Sequence, residues 1–158
     1  MTAAMLTPHE LDVLDQLLAC VLPSSSGPGA TEARAIDYVV ARLPTESPEM
    51  VAALRDGIKR AEAAGLNADA MLRAWSADRS APQWQLFRRV RAWAWEGFLC
   101  DPRHGGNRGQ AGWTRFGIAG PPQPDGFTPE ELVAPTSAVT TPPETPASSR
   151  KAKTDDHP

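Results

Sequence analysis

Residues 82–99 read PQWQLFRRVRAWAWEGFL, and this stretch predicts one long helix with an unusually wide apolar face. At about 100° per residue, its apolar side chains cover roughly 200° of the helix circumference. They are Trp84, Leu86, Phe87, Val90, Trp93, Ala94, Trp95, Gly97 and Phe98. A surface helix usually has an apolar stripe of only a little over about 100°. We therefore expect either the central helix of a bundle or a helix whose second flank contacts another chain.

The charge of Arg91 falls inside this apolar arc. An unpaired guanidinium among apolar side chains is costly, because the group loses its water without gaining an acceptor. We therefore expect Arg91 to pair with a carboxylate or carbonyl oxygen, in this chain or in another.

Four shorter helices are predicted on the N-terminal side of this stretch, and no strand pattern competes with them. The first begins at Thr7-Pro8-His9-Glu10, which has the residues of a capping box. The second follows Thr31, and the expected N-caps of the third and fourth are Ser47 and Asn67. The apolar residues expected to face the core are Leu11, Leu14, Leu18, Val21, Ile36, Val39, Val40, Leu43, Val51, Leu54, Ile58, Ala61, Met71, Leu72 and Trp75.

The chain changes character after Leu99. Residues 100–121 are rich in glycine, so we expect a loop whose shape is set by glycine and proline dihedrals. Residues 122–158 have few large apolar side chains and many Pro, Ser and Thr residues, which predicts disorder. The predicted fold class is all-α, a small five-helix bundle followed by a Gly-rich ordered loop and a disordered Pro-rich C-terminal tail. The helical domain is expected over residues 1–121 and the tail over residues 122–158.

The formal net charge of −3 is unevenly distributed. Residues 79–120 hold seven arginines against Glu96 and Asp101, whereas residues 1–78 are net negative. Because the excess is small and the arginines are mixed with tryptophans, the pattern does not suit nucleic-acid binding. It favours a matched protein partner or internal pairing between the two halves. No apolar run approaches the ~20 residues of a membrane helix, so direct membrane insertion is not expected.

The N-terminus and the cysteines bear on the cellular compartment. The sequence as written begins without a basic n-region, an apolar h-region or a twin arginine, so we expect a cytoplasmic protein. A periplasmic or membrane-associated complex is the alternative if translation starts upstream or a partner carries the export signal. Cys20 and Cys100 are too few for a disulfide framework. We expect Cys20 to be buried on the first helix and Cys100 to be a free thiol, with a disulfide from Cys100 to a partner as the alternative if the protein is exported.

The segment after the long helix resembles the closing motif of a known family, the gluconate 2-dehydrogenase subunit 3 family. The matching residues are Phe98, Asp101-Pro102-Arg103, Gly105-Gly106-Asn107, Gly112-Trp113, Gly117 and Gly120-Pro121. The opening Leu6-Thr7-Pro8-His9-Glu10, followed by Leu17-Leu18 and Val21-Leu22-Pro23, is similar to the first helix of that family. The resemblance spans roughly residues 5–121, with a weaker match in the middle. Cys100 and His104 stand where a small residue and an aromatic are expected.

The resemblance implies a non-catalytic small subunit. Such subunits bind and stabilise a large FAD-dependent dehydrogenase of the glucose–methanol–choline (GMC) oxidoreductase type, which oxidises gluconate, another sugar or a polyol. Many also carry the twin-arginine signal that exports both subunits. A membrane-bound cytochrome c often completes the complex. FAD then belongs to the large subunit and haem c to a third, while this chain binds no cofactor or metal and has no catalytic residue.

The resemblance and the aromatic helix together supply the candidate interface or motif residues. They are Arg91, Trp95, Phe98, Asp101, Pro102, Arg103, Gly105, Gly106, Asn107, Gly112 and Trp113. Two of them have alternatives. Trp113 either covers its own bundle or contacts a partner, and Arg103 binds either a partner's carboxylate or Asp101 or a helix-end carbonyl. His104 is expected to have a structural role in the loop, because no nucleophile or orienting carboxylate is recognisable beside it.

A second hypothesis belongs to a different class of protein. The chain would be a stand-alone cytoplasmic helical protein, as a monomer or a homo-oligomer, with no dehydrogenase partner. The absence of a leader in the sequence as written favours it. A third hypothesis, that the chain is itself an enzyme, is the weakest and predicts a bound cofactor or metal.

Overall fold

Three of the six helices in the described residues begin at a side-chain cap. Thr7 Oγ1 accepts a hydrogen bond from the Glu10 N–H at 3.2 Å, and the Glu10 carboxylate accepts one from the Thr7 N–H at 2.8 Å. Ser47 Oγ caps the Met50 N–H at 3.1 Å, and Asn67 Oδ1 caps the Ala70 N–H at 2.9 Å. The three predicted caps are confirmed, and each such cap stabilises a helix by about 1 kcal/mol.

The structure is a computed structural model that describes residues 6–118, and in this range it is helical without strands. It contains six α-helices, which are α1 Pro8–Val21, α2 Ala35–Arg42, α3 Pro48–Ala63, α4 Ala68–Ser76, α5 Gln83–Leu99 and α6 Ala111–Phe116. Short 3-10 turns cover Leu43–Thr45, Pro102–His104 and Arg108–Gln110. The predicted tail of residues 122–158, the domain boundary, and Gly120 and Pro121 lie outside the described residues.

The long helix α5 is the central element, as one of the two alternatives predicted. It packs against each of the other five helices. Val90, Trp93, Ala94 and Phe98 on this helix are completely buried. The predicted core residues of the other helices are buried too, except that Leu11 and Val21 are only partly covered and Val40 is exposed.

Two side chains predicted to be buried are exposed. Val40 was expected on the inner face of α2, but it lies about 100° further round the helix than the fully buried Val39. Cys20 was expected in the core, but α1 and α4 leave an open groove at its position. Both predictions are wrong for the same reason, since spacing shows which side chains share a face and not how far a neighbouring helix reaches round it.

The segment predicted as a single glycine-rich loop is partly helical. It contains two 3-10 turns and the short helix α6. Gly105 and Asn107 have positive φ values of 102° and 48°, which turn the chain sharply between these helical pieces. The described part of the chain therefore has six α-helices and not five.

Candidate protein-binding surface

Asn107 joins the end of α5 to the start of α6. Its side chain is completely buried and donates a hydrogen bond from Nδ2 to the Cys100 carbonyl at 2.9 Å. Its Oδ1 accepts from the Gly112 N–H at 2.8 Å, and its own backbone N–H donates to the Gly97 carbonyl at 2.8 Å. One residue thus pairs three backbone groups at the ends of the two helices.

The motif glycines allow the returning segment to contact the backbone of α5. A Cβ atom on Gly106 would lie 2.1 Å from the Gly97 carbonyl oxygen, and one on Gly112 would lie 1.9 Å from the Phe98 carbonyl oxygen. Gly105 lies against the backbone of Asp37 in α2. These positions are therefore glycines because a side chain would push the segment away from the bundle.

Phe98 and Trp113 also connect the end of α5 to α6. Together with Asn107 and the motif glycines they form what we call the joint. Phe98 is completely buried, and Trp113 is only 7% exposed. The indole Nε1 of Trp113 donates to the Leu99 carbonyl at 2.8 Å, which satisfies the end of α5. Of the two alternatives for Trp113, the structure shows the one in which it covers its own bundle.

Asp101, Pro102 and Arg103 form a local turn at the surface. The Asp101 carboxylate accepts from the Arg103 N–H at 3.0 Å and pairs with Arg103 Nε at 3.0 Å. The hydrogen bond from the Arg103 N–H is the main cause that lowers the pKa of Asp101 below its ordinary value. Arg103 therefore has the internal partner that one alternative predicted, and His104 in the same turn is exposed.

Trp95 and Phe116 form an exposed aromatic pair above this joint. Trp95 is 38% and Phe116 51% exposed, and their rings stack at 6.0 Å with an interplanar angle of 29°. Buried Phe98 contacts both edge-on, at 6.5 Å from Trp95 and 6.1 Å from Phe116. Ile118, two residues further along the chain, is 46% exposed. We call Trp95, Phe116 and Ile118 the aromatic ridge.

Sequence reasoning selected Trp95 but not Phe116 or Ile118. Both lie in the segment that was predicted to be a loop, and a loop pattern does not show which of its aromatics points outward. The spacing of Trp113 and Phe116, three residues apart, is compatible with one helical turn. It does not show which of the two rings is exposed.

Arg115 fixes the position of α6. Its Nη1 donates to the carbonyls of Pro23 at 3.2 Å and Pro28 at 2.8 Å, and its Nη2 donates to Ser26 Oγ at 3.0 Å. These acceptors lie in the connection between α1 and α2. Phe116 and Ile118 of the ridge thus lie on a segment that is held both at the end of α5 and at this connection.

An open groove of about 330 Å³ lies next to the ridge. It is bounded by α1, α4 and α5 and ends at Trp95, which belongs to both surfaces. The side chains lining it are Cys20, Val21, Asp69, Leu72, Arg73, Ser76, Phe87, Arg91 and Trp95. Asp69 and Arg73 form an ion pair with each other.

Among residues 6–118, the Arg91 guanidinium does not have the partner that one alternative allowed. The side chain is exposed at the groove and makes no hydrogen bond or ion pair with the described residues. The cost of burial is avoided because the groove leaves the guanidinium in water.

Other arginines of the net-positive residues 79–120 pair within the chain. Arg89 contacts Glu46, which lies in the net-negative residues 1–78, and also Glu96 at 3.6 Å. Arg108 lies 3.9 Å from Asp37. Internal pairing thus accounts for part of the charge asymmetry, and the exposed Arg88 and Arg91 on α5 remain without a carboxylate in the described range.

Residues 6–118 contain neither a cluster of metal-ligating side chains nor a helix able to cross a membrane. No three side chains of the His, Cys, Asp or Glu type gather in a metal-binding arrangement there. In the same range, no helix combines the length and the hydropathy needed to cross a bilayer.

Comparison with known proteins gives one match. A family model described as "Gluconate 2-dehydrogenase subunit 3" matches residues 8–120. That range begins at the first residue of α1 and includes the whole joint around Asn107. No curated protein and no solved structure gives a significant match.

Proposed function

Because the chain belongs to the gluconate 2-dehydrogenase subunit 3 family, we propose that it binds and stabilises a large FAD-dependent GMC-type subunit. This subunit would oxidise gluconate, another sugar or a polyol. The family is that of an accessory subunit of a dehydrogenase complex. In this proposal FAD and the substrate bind to the large subunit, haem c belongs to a third subunit where one is present, and this chain takes no part in bond chemistry.

The observation that carries the proposal is the exposed stacked pair of Trp95 on α5 and Phe116 on α6. The position of α6 is fixed by the hydrogen bonds of Arg115. An aromatic side chain has about 150–250 Å² of surface, so each ring leaves about 100 Å² in water. Covering both would contribute about 5 kcal/mol at about 25 cal/mol per Å², before the cost of association. Tryptophan and arginine are also the residue types enriched at interface hot spots.

The stabilising effect follows from mass action. A subunit that binds only the folded large subunit lowers the population of its unfolded state, and the effect grows with the logarithm of the subunit's concentration over its dissociation constant. At about one hundred times the dissociation constant, this amounts to about 2.7 kcal/mol. The large subunit should therefore keep its FAD at higher temperature when this chain is present.

The proposal is tested by co-expressing the tagged chain with the large flavoprotein of the same organism. The readout is the flavin absorbance that co-purifies per mole of tagged chain. The double variant Trp95→Ser, Phe116→Ser should lose at least about nine-tenths of it, because both exposed rings are removed. Val40→Ser, which removes an exposed apolar side chain on α2, is the matched control and should retain it.

Two results of this experiment would contradict the proposal. A folded double variant that still co-purifies stoichiometric flavin would show that the ridge is not the interface. A wild-type chain that elutes as a folded monomer or homo-oligomer beside the intact flavoprotein would favour the stand-alone alternative.

A further inference from the structure

The groove beside the ridge combines apolar walls with one unpaired cation. Val21, Leu72 and Phe87 supply apolar side chains from α1, α4 and α5. At the rim, Asp69 and Arg73 neutralise each other. Arg91 is the remaining charge of the lining, and it has no partner among residues 6–118.

A second positive charge, that of Arg88, lies next to the groove on the same face of α5 as Arg91. Trp84, Arg88, Arg91 and Trp95 follow one another at spacings of four, three and four residues, which places them on one face of α5. Arg88 is exposed and likewise has no carboxylate partner in the described range. This face therefore presents two positive charges between two aromatic side chains.

Covering such a groove imposes a chemical requirement on the occupant. A partner that buries Arg91 removes water from the guanidinium, and a buried charge without an acceptor is strongly unfavourable. A carboxylate supplies the acceptor and can form two parallel hydrogen bonds with the planar guanidinium. The apolar walls require apolar side chains beside that carboxylate, as an amphipathic segment provides.

We propose that the groove receives an acidic amphipathic segment of the large flavoprotein subunit, with an Asp or Glu paired to Arg91. This assignment rests on the proposed function and names the chemistry of the partner's contacting segment. Because Trp95 borders both the groove and the ridge, one continuous interface covers both surfaces.

The first experiment measures the affinity of the large flavoprotein for charge variants of the full chain. Arg91→Glu should weaken binding at least tenfold, since interfacial charge pairs couple by more than ~1.4 kcal/mol. Arg91→Gln should give a smaller loss and a weaker dependence on salt than the wild type. Arg60→Glu makes the same change of charge at an exposed site on α3 outside the groove and should bind like the wild type. Urea midpoints confirm that each variant is folded.

The second experiment identifies the occupant. Cys20 is exposed on the groove wall, so a thiol-linked photo-crosslinker can be placed there in a Cys100→Ser background. We expect it to capture a flavoprotein peptide in which Asp or Glu alternates with apolar residues at helical spacing. A captured peptide without acidic residues, or a crosslink to a second copy of this chain, would overturn the proposal.

Binding measurements distinguish a wrong groove assignment from a wrong proposed function. If Arg91→Glu binds as tightly as the wild type while the ridge variant does not bind, the groove assignment is wrong and the proposed function stands. If the wild-type chain does not bind the flavoprotein at all, the proposed function is wrong and the groove assignment is overturned with it.

Discussion

Replacing Asn107 by alanine tests whether the closing motif acts by holding the chain together. The side chain is completely buried and pairs with the Cys100 carbonyl at 2.9 Å and the Gly112 N–H at 2.8 Å. Asn107→Ala removes both hydrogen bonds and leaves the buried Gly112 N–H and the partly buried Cys100 carbonyl without this partner. It also puts an alanine at a φ of 48°, where asparagine is better tolerated.

The expected loss follows from these three effects. Each hydrogen bond contributes about 1 kcal/mol net, and a buried group left unpaired adds about 1 kcal/mol or more. The left-handed backbone adds about 1 kcal/mol for alanine. We therefore expect Asn107→Ala to lower the free energy of unfolding by about 3–5 kcal/mol, a large part of the ~5–15 kcal/mol of an ordinary domain.

Two further variants separate the contributions. Asn107→Gly loses the same hydrogen bonds but accepts the positive φ, so it should be less destabilised than the alanine variant by about 0.5–1 kcal/mol. Asn107→Asp keeps the acceptor for Gly112 but loses the donor to Cys100 and buries a charge, so it should be destabilised at neutral pH.

The assay is urea unfolding followed by tryptophan fluorescence, with the slope of the transition compared between variants. An alanine variant that unfolds within about 0.5 kcal/mol of the wild type at an unchanged slope would show that the Asn107 side chain does not hold the two helices together. A glycine variant less stable than the alanine variant would show that the positive φ is not a source of the loss.

Three other outcomes are expected from the same structure. Gly112→Ala should lower the free energy of unfolding in urea by at least about 3 kcal/mol, because its Cβ would clash with the Phe98 carbonyl oxygen. Gly109→Ala has open space around it and should cost only the ~1–2 kcal/mol of its positive φ. Equal losses in the two variants would contradict this explanation. Burial raises the pKa of Asp15, and one of its carboxylate oxygens is buried without a hydrogen-bond partner among residues 6–118. Asp15 therefore weakens folding as pH rises above its unfolded-state pKa. Asp15→Asn should then raise the melting temperature at neutral pH and lose that advantage in acid, and a constant difference across pH would contradict the explanation. Arg115→Ala should make the connection at residues 23–28 more sensitive to limited proteolysis, with Arg115→Lys in between, and unchanged cleavage would show that the arginine does not hold it.

The local parts of this fold were predictable from sequence. The capping box at Thr7 and Glu10 needs only residues three positions apart, and the structure contains both of its hydrogen bonds. The central position of α5 was one of the two alternatives predicted from its residues, because an apolar arc of roughly 200° needs neighbours on several sides, in this chain or in another. The family assignment came from the closing motif, and the family model confirms it.

The surface was harder to predict because it depends on contacts between distant residues. Arg91 lies within the apolar arc of α5, yet it is exposed since α1 and α4 stop short of covering it. Trp113 and Phe116 look alike in the sequence, but Trp113 finds the free carbonyl of Leu99 and Phe116 stacks on exposed Trp95. Such outcomes are set by the packing of whole helices and not by spacing within one of them.

The most direct test of the account isolates the complex from the native host through a tag on this chain at its natural expression level. Flavin content, subunit masses and dehydrogenase activity are measured on the purified material. We expect one large flavoprotein with bound FAD in fixed ratio to this chain, with the sugar- or polyol-oxidising activity remaining in that subunit after the two are separated. Recovery of this chain without a flavoprotein, or activity that remains with this chain after separation, would contradict it.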